Sequence, residues 1–339
     1  MDFAKSYSAT WRVFRVNRDT WADAEQLLNV DSASITRTAD GSLLESGSLE
    51  VTGDFEPDYY RIVMTAEQSG EVRRIDVGTL LFDVTGGKVN YGTTVHDMDG
   101  FSVLYPASVT TILTGEYAPA GCDGAEYAAQ LLASAINAPV QVEGRFTLNE
   151  HIVHEIGTSV LDAAWGVLEA GNFIIQIDGR GVVHIRPKPT TPSLILDSSN
   201  MKLLTNGVDF TTDISQIPNR YIVIEDNIRT IAVNNDPDSP VSTVSRGYCV
   251  DEVDESPKPV NGETMSAYAE RRLEELSYMQ DERSYTREYS PDVYLYSIVR
   301  ATIDGLQGNL RVLSQTVTCN YGVTVAEKAA REVALWQRT

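Results

Sequence analysis

The sequence predicts an α+β chain that is mostly β, with a small α+β unit set between two β domains. Three observations carry this. Segments of alternating polar and apolar residues fill the first hundred positions and return after residue 219. Two capped, Ala- and Leu-rich helical stretches sit between them, and one amphipathic helix follows near residue 264.

Taken in order, residues 12–16 and 34–38 alternate as strands, and Asp40-Gly41 supplies a hairpin turn signal. Segments 48–52, 60–64 and 74–84 continue the pattern, and short strands at this spacing suggest a small barrel or sandwich ending near Pro106. Residues 20–28 have room for one turn of helix. In the middle, Asp123 is placed to cap a helix over 125–136 that stops before Pro139. Thr158 or Ser159 caps a second helix over 160–170, closed by Gly171. A hairpin follows: 173–177, the turn Asp178-Gly179-Arg180-Gly181, then 182–186. Pro187 to Pro192 reads as an extended linker. Strands resume at 219–225 and 229–233, and residues 249–262 read as an acidic, proline-containing loop. The helix from Thr264 to about Met279 puts Ala269, Leu273 and Leu276 on one face. Alternation returns at 284–289, 293–303 and 310–321, and 325–336 suits a last helix or strand.

The 339 residues suit two or three domains, and 42% hydrophobic with 22% charged residues is ordinary globular composition. No apolar run has the roughly 18 residues that a membrane-spanning helix needs, and the start, Met1-Asp2-Phe3-Ala4-Lys5, has no apolar signal core. Three scattered cysteines, Cys122, Cys249 and Cys319, suggest neither a disulfide framework nor a metal-binding pair. Charge is the strongest bulk signal: 27 basic against 48 acidic residues give −21. Such a chain is a poor candidate for wrapping nucleic acid. The excess acid fits either simple solubility or a surface that repels a polyanion passing close by.

A search for chemistry finds little. His151-Ile152-Val153-His154-Glu155 is the one arrangement that looks like a metal site. Zinc hydrolases place two histidines one helical turn apart with the glutamate between them. Here the spacing is three, the glutamate follows, and the segment looks extended, which points the two imidazoles to opposite faces. Cys122 has no histidine nearby in sequence, and Gly86-Gly87-Lys88 lacks the rest of a phosphate loop. Asp97-Met98-Asp99-Gly100 and Asp236-Pro237-Asp238 lack EF-hand spacing and read as turns. No catalysis and no cofactor are therefore expected. Sixteen tyrosines invite another reading. Tyr278, Tyr285, Tyr289, Tyr294 and Tyr296 gather beside Arg283, Arg287 and Arg300. Interfaces favour Tyr and Arg, although Tyr is also an ordinary strand residue with one wet edge.

The run from Ser32 to Val51, then Tyr60-Arg61-Ile62 and Val77-Gly78-Thr79-Leu80-Leu81-Phe82, resembles the opening of bacteriophage tail hub proteins, the baseplate hub or tail-associated proteins of siphophages and myophages. Residues 161–185, a helix, a glycine and a strand–turn–strand, resemble that family's middle domain, and 218–224 its re-entry strand. The resemblance implies two small β-barrel hub domains joined by a small α+β domain. On this pattern residues 1–110 form the first barrel with returning strands at about 193–214, and 111–192 the middle domain. Residues 215–339 form the second barrel, with 264–279 as an inserted helix. It implies a homotrimer whose six barrels ring the end of the tail tube and adapt six-fold to three-fold symmetry. Implied partners are the distal tail or tail tube protein, the tape-measure protein and tail-tip or fibre proteins, with DNA passing through without specific binding and no membrane insertion by this chain. The place implied is the virion tail tip, after assembly in the host cytoplasm. The Tyr and Arg cluster then becomes an interface candidate, and Asp251, Glu252, Asp254 and Glu255 become candidates for lumen charge. Two other readings are a distal tail or receptor-binding module, and a metal-dependent hydrolase using His151, His154 and Glu155.

Overall fold

The computed structural model describes residues 1, 7–39, 41–53, 55–90, 93–197, 207–225, 228–255, 257, 263–303 and 306–337. The chain is α+β and mostly β, and it divides into two compact units, 1–208 with 284–329 and 209–283 with 330–339.

In the first unit the chain opens with β1 (Ser8–Val16), β2 (Asp23–Leu27), β3 (Val30–Thr38), β4 (Glu45–Thr52), β5 (Asp58–Gln68), β6 (Glu71–Asn90) and β7 (Thr93–Phe101). Alternation decides which side chains enter the core. On β3, Ala33, Ile35 and Arg37 are buried, while the residues between them face partly outward. β5 is buried along almost its whole length, as a central strand should be. β6 serves two partners: 71–82 pair with β5 and 81–90 with β7, with register shifts at Ile62/Val63 and at Val84/Gly86. Such bulges bend a strand and sharpen its twist. The expected turn of helix at 20–28 is a turn closed by Asn17 followed by β2. Asp40 of the expected hairpin turn lies outside the described residues.

The middle segment holds α1 (Tyr105–Val109), β8 (Glu116–Ala118), α2 (Gly124–Ala133), β9 (Val140–Val142), β10 (Ile152–His154), α3 (Val160–Ala170), β11 (Phe173–Ile177) and β12 (Val183–Pro187). The expected caps are in place. Asp123 accepts from the backbone N–H of Ala125 at 3.1 Å, and Ser159 from that of Asp162 at 3.0 Å. β11 is buried throughout, pairs antiparallel with β12, and β12 pairs parallel with β9. Leu132, Leu161, Leu168, Ile175 and Ile185 pack in the same core as Trp21, Tyr59 and Leu295. A segment this small gains most of its burial by packing on a neighbour.

β13 (Pro192–Leu196) follows. Residues 198–206 of the expected returning strands lie outside the described residues.

The second unit contains β14 (Asp209–Thr211), β15 (Arg220–Glu225), β16 (Ile228–Val233), α4 (Thr243–Arg246), β17 (Asp251–Asp254) and α5 (Met265–Leu276). β15 pairs antiparallel with β16 and parallel with β17. α5 begins at the Thr264 cap and ends three residues before the expected Met279. It buries Tyr268, Ala269 and Leu273 against Tyr221, Val223 and Ala232, with Trp336 alongside. The acidic stretch expected as a loop contains β17: four residues suffice to add a strand beside β15, whatever their charge.

β18 (Tyr278–Glu288), β19 (Ile298–Ile303), β20 (Leu306–Cys319) and β21 (Val323–Ala334) complete the chain. In the first unit β13 runs parallel to β19, β19 is antiparallel to β20, and β20 is antiparallel to β3. The ladder reads β2-β1-β5-β6-β7-β4-β3-β20 and continues from β20 to β21 and β18, an open path among the described residues. The C-terminal stretch, open to helix or strand from sequence, is the strand β21.

Candidate assembly surfaces

The Tyr and Arg cluster separates into interior and surface residues. Tyr285, Arg287 and Tyr289 are buried in the chain's own core, so they present no side-chain surface to another protein. Alternation explains it: Tyr285 and Arg287 take inward-facing positions of β18, and Tyr289 follows two residues on, just past its end. Arg287 Nη2 lies 2.6 Å from Glu327 Oε2, Gln315 Nε2 donates to the same oxygen at 2.8 Å, and the Tyr285 hydroxyl donates to Oε1. Burial and Glu327 together push the Tyr285 hydroxyl well above its ordinary range. Arg287 stays charged, because Glu327 more than offsets the cost of burial. Tyr294 is part-buried beneath the Arg37 guanidinium, 5.5 Å from the ring centre, and Arg37 pairs with the buried Glu45 at 2.6 Å. Tyr296 donates its hydroxyl to the Ala39 carbonyl at 3.4 Å. Interface roles for Tyr285, Arg287 and Tyr289 are therefore corrected to core roles. In the second unit Tyr278 is exposed, and Arg283 covers the Phe210 ring at 5.2 Å while pairing with Asp281 at 2.7 Å.

The acidic candidates divide likewise. Asp251 takes two 2.6 Å bonds from the Arg220 guanidinium, which holds its carboxyl below the usual range. Asp254 accepts from the hydroxyls of Tyr221 at 2.9 Å and Tyr268 at 2.7 Å. Burial, helped by Asp254, pushes the Tyr221 hydroxyl up to about 12. Glu252 and Glu255 are exposed at a cavity of about 570 Å³ that Tyr221, Arg271 and Arg272 also line.

The two histidines do not converge. His151 accepts from the Ala120 N–H at 3.2 Å and meets the edge of Tyr117. His154 is buried, stacks on Tyr127 with ring centres 5.9 Å apart, and is held toward its neutral form by burial. Among the described residues no three His, Cys, Asp or Glu side chains gather to hold a metal ion, and no helix is long and apolar enough to cross a membrane.

Sequence reasoning missed the large exposed apolar side chains. Leu113, Tyr117, Val153 and Ile156 stand out in the middle segment of the first unit, and Ile231, Val233 and Val253 on the sheet of the second. An apolar residue shows its exposure only once its strand partner and face are known.

No family model matches the sequence, and no curated protein matches it. Solved structures do match the fold. The prophage MuSo2 43 kDa tail protein from Shewanella oneidensis is similar at a TM-score of 0.63 and 13% identity, over 96% of this chain and 98% of that one. The tail protein from Neisseria meningitidis MC58 is similar at 0.62 and 12%, over 96% and 97%. A chain of the Francisella PdpA–VgrG complex is similar at 0.54 and 6%, over 97% of this chain and 53% of that one. The fold of this chain is that of phage tail proteins.

Proposed function

We propose that this chain is a structural component of a bacteriophage tail and serves as its tip hub. The observation that carries the reading is the end-to-end fold match with two tail proteins, which spans nearly all of both chains in each case. Fold alone does not assign function. Several of the titratable residues that stand out in the sequence fit this reading: Tyr285, Arg287 and Asp254 are engaged in ion pairs and hydrogen bonds within the chain.

In this reading residues 1–110 with returning strands near 193–214 form one hub domain, 111–192 the connecting domain, and 215–339 the second. Each hub domain takes the place of one barrel, three chains form a ring on the tail tube, and six-fold symmetry becomes three-fold. The chain acts without catalysis or cofactor. It contacts the tube or distal tail protein on one side and tip or fibre proteins on the other, while the tape-measure protein and DNA pass through. Exposed carboxylates such as Glu252 and Glu255 then discourage adhesion of the passing polyanion. The chain resides at the virion tail tip, after assembly in the host cytoplasm.

Light scattering and negative-stain imaging of the purified chain, with and without tail tube protein, test this. A three-fold ring, alone or on tube ends, is expected. A persistent monomer that ignores the tube would contradict it, and glycan binding by that monomer would favour a receptor-binding module.

A further inference from the structure

The middle segment of the first unit carries a two-stranded ribbon with large apolar side chains exposed on it and beside it. β8 and β10 pair as Ala118↔Ile152, Tyr117↔Val153 and Glu116↔His154, and among the described residues they pair with no other strand. The same antiparallel register resumes beyond them. The Gly157 N–H donates to the Ile112 carbonyl at 2.9 Å, the Ile112 N–H to Thr158, and Thr111 bridges Ser159. Ala118 and His154 turn inward and are buried, which sends Tyr117 and Val153 outward as a direct cross-strand pair. Leu113 and Ile156 each adjoin the Gly157–Ile112 hydrogen bond. These four side chains are 81% (Leu113), 56% (Tyr117), 72% (Val153) and 71% (Ile156) exposed. Single exposed apolar residues are ordinary, but a directly paired Tyr117 and Val153, with Leu113 and Ile156 exposed on the same two chain segments, is a concentration of the kind that marks an interaction site.

The charge around these residues is one-sided. Arg145 is the one Lys or Arg between residues 106 and 160, against Glu116, Asp123, Glu126, Glu143, Glu150 and Glu155. Glu116, Glu150 and Glu155 lie on the ribbon or directly beside it and are exposed. A second copy seated face to face would oppose these carboxylates with their own kind, which disfavours self-association here. We propose that the ribbon is a docking site for an extended segment of another protein in which basic and apolar residues alternate. The segment adds as a further strand to an open edge. Its apolar side chains lie beside Tyr117 and Val153, and its Lys or Arg side chains, on the alternate face, lie on the side of Glu116. Backbone hydrogen bonds supply affinity in this mode, and alternate side chains supply selectivity.

The test uses the full chain and a labelled, end-blocked peptide of alternating lysine and valine, followed by fluorescence anisotropy and amide hydrogen exchange. Binding is expected to slow exchange at 116–118 or 152–154. A peptide of alternating glutamate and valine is expected not to bind. The double variant Tyr117→Ser/Val153→Ser, changed at exposed positions, is expected to bind at least about tenfold more weakly. Leu113→Ser/Ile156→Ser gives a second, independent variant with the same expected direction. Equal binding by both variants, no binding by the parent chain, or protection elsewhere would overturn the proposal. So would concentration-dependent dimerisation that the Tyr117→Ser/Val153→Ser variant abolishes, since a second copy would then be the occupant.

Discussion

Arg61 donates a hydrogen bond from Nη2 to the backbone carbonyl of Arg180 at 3.0 Å, and so ties the β11–β12 turn to strand β5. The Trp21 indole N–H donates to the same carbonyl at 2.8 Å. Arg61 also bonds Thr79 Oγ1 at 3.0 Å and Asp23 Oδ1 at 2.5 Å. Thr79 in turn donates to the Gly179 carbonyl at 3.2 Å. The turn sits so close to β6 that a Cβ on Gly179 would lie 1.7 Å from the Asp76 carbonyl oxygen. Gly181, at a φ of +75°, occupies the left-handed region that glycine tolerates.

Gly179→Ala should therefore force the turn off β6. The expected loss is about 1–3 kcal/mol, the range for overpacking a tight contact. Urea unfolding of the full chain checks it, and an unchanged midpoint would show that the turn does not press on β6.

The buried Arg287–Glu327 pair gives a sharper expectation. Arg287→Met leaves the carboxylate buried without its cation and should cost about 3–5 kcal/mol. Adding Glu327→Gln removes the stranded charge but keeps an acceptor for Tyr285, so the double variant should recover most of the loss. A double-mutant cycle measures this, and additive losses would contradict the coupling.

His184 bonds Asp178 Oδ2 at 3.2 Å and Glu143 Oε1 at 2.8 Å. The bond to Asp178 contributes most to raising its pKa above the ordinary value, with Glu143 adding to it against burial. A raised pKa means that the folded state holds the proton more tightly than the unfolded chain. The stabilisation is complete below about pH 6.5, the ordinary histidine value, and fades as pH rises through the elevated folded value. His184→Gln should flatten that slope in denaturant midpoints taken from about pH 5.5 to 8. A slope that survives the substitution would assign it to another group.

The cysteines should differ in reactivity. Cys249 is exposed, Cys122 half-buried, and Cys319 buried with its thiol pushed up to about 12 by burial. A thiol reagent at pH 8 should label Cys249 first and Cys319 only on unfolding. Mass spectrometry of timed samples reads the order, and early labelling of Cys319 would place it at the surface.

Much of the fold was legible because its signals are local. Asp123, Ser159 and Thr264 cap helices within three residues, and the turn at 178–181 announces its own hairpin. What escaped depends on distant partners. Nothing near Arg287 in sequence names Glu327, forty positions away, as its counter-ion, so a Tyr and Arg run that belongs to the core looked like a surface. The every-second-residue spacing of Tyr285 and Arg287 on β18, continued by Tyr289 just past its end, was the usable clue. The acids of β17 concealed a strand because its pairing comes from β15, and edge strands tolerate charge. Nor could the docking of Gly179 on Asp76 be read from either segment alone.

On the proposed reading the chain is a structural hub at the end of a phage tail. Tyr321 sits fully exposed in the turn between β20 and β21, a suitable place for a small epitope tag. The decisive measurement is electron microscopy of tails assembled in vivo with the tagged chain and labelled with antibody fragments. Three labels around the axis at the tube end, on every intact tail, are the expected result. Tails that form and eject DNA with no label at the tip would contradict the account.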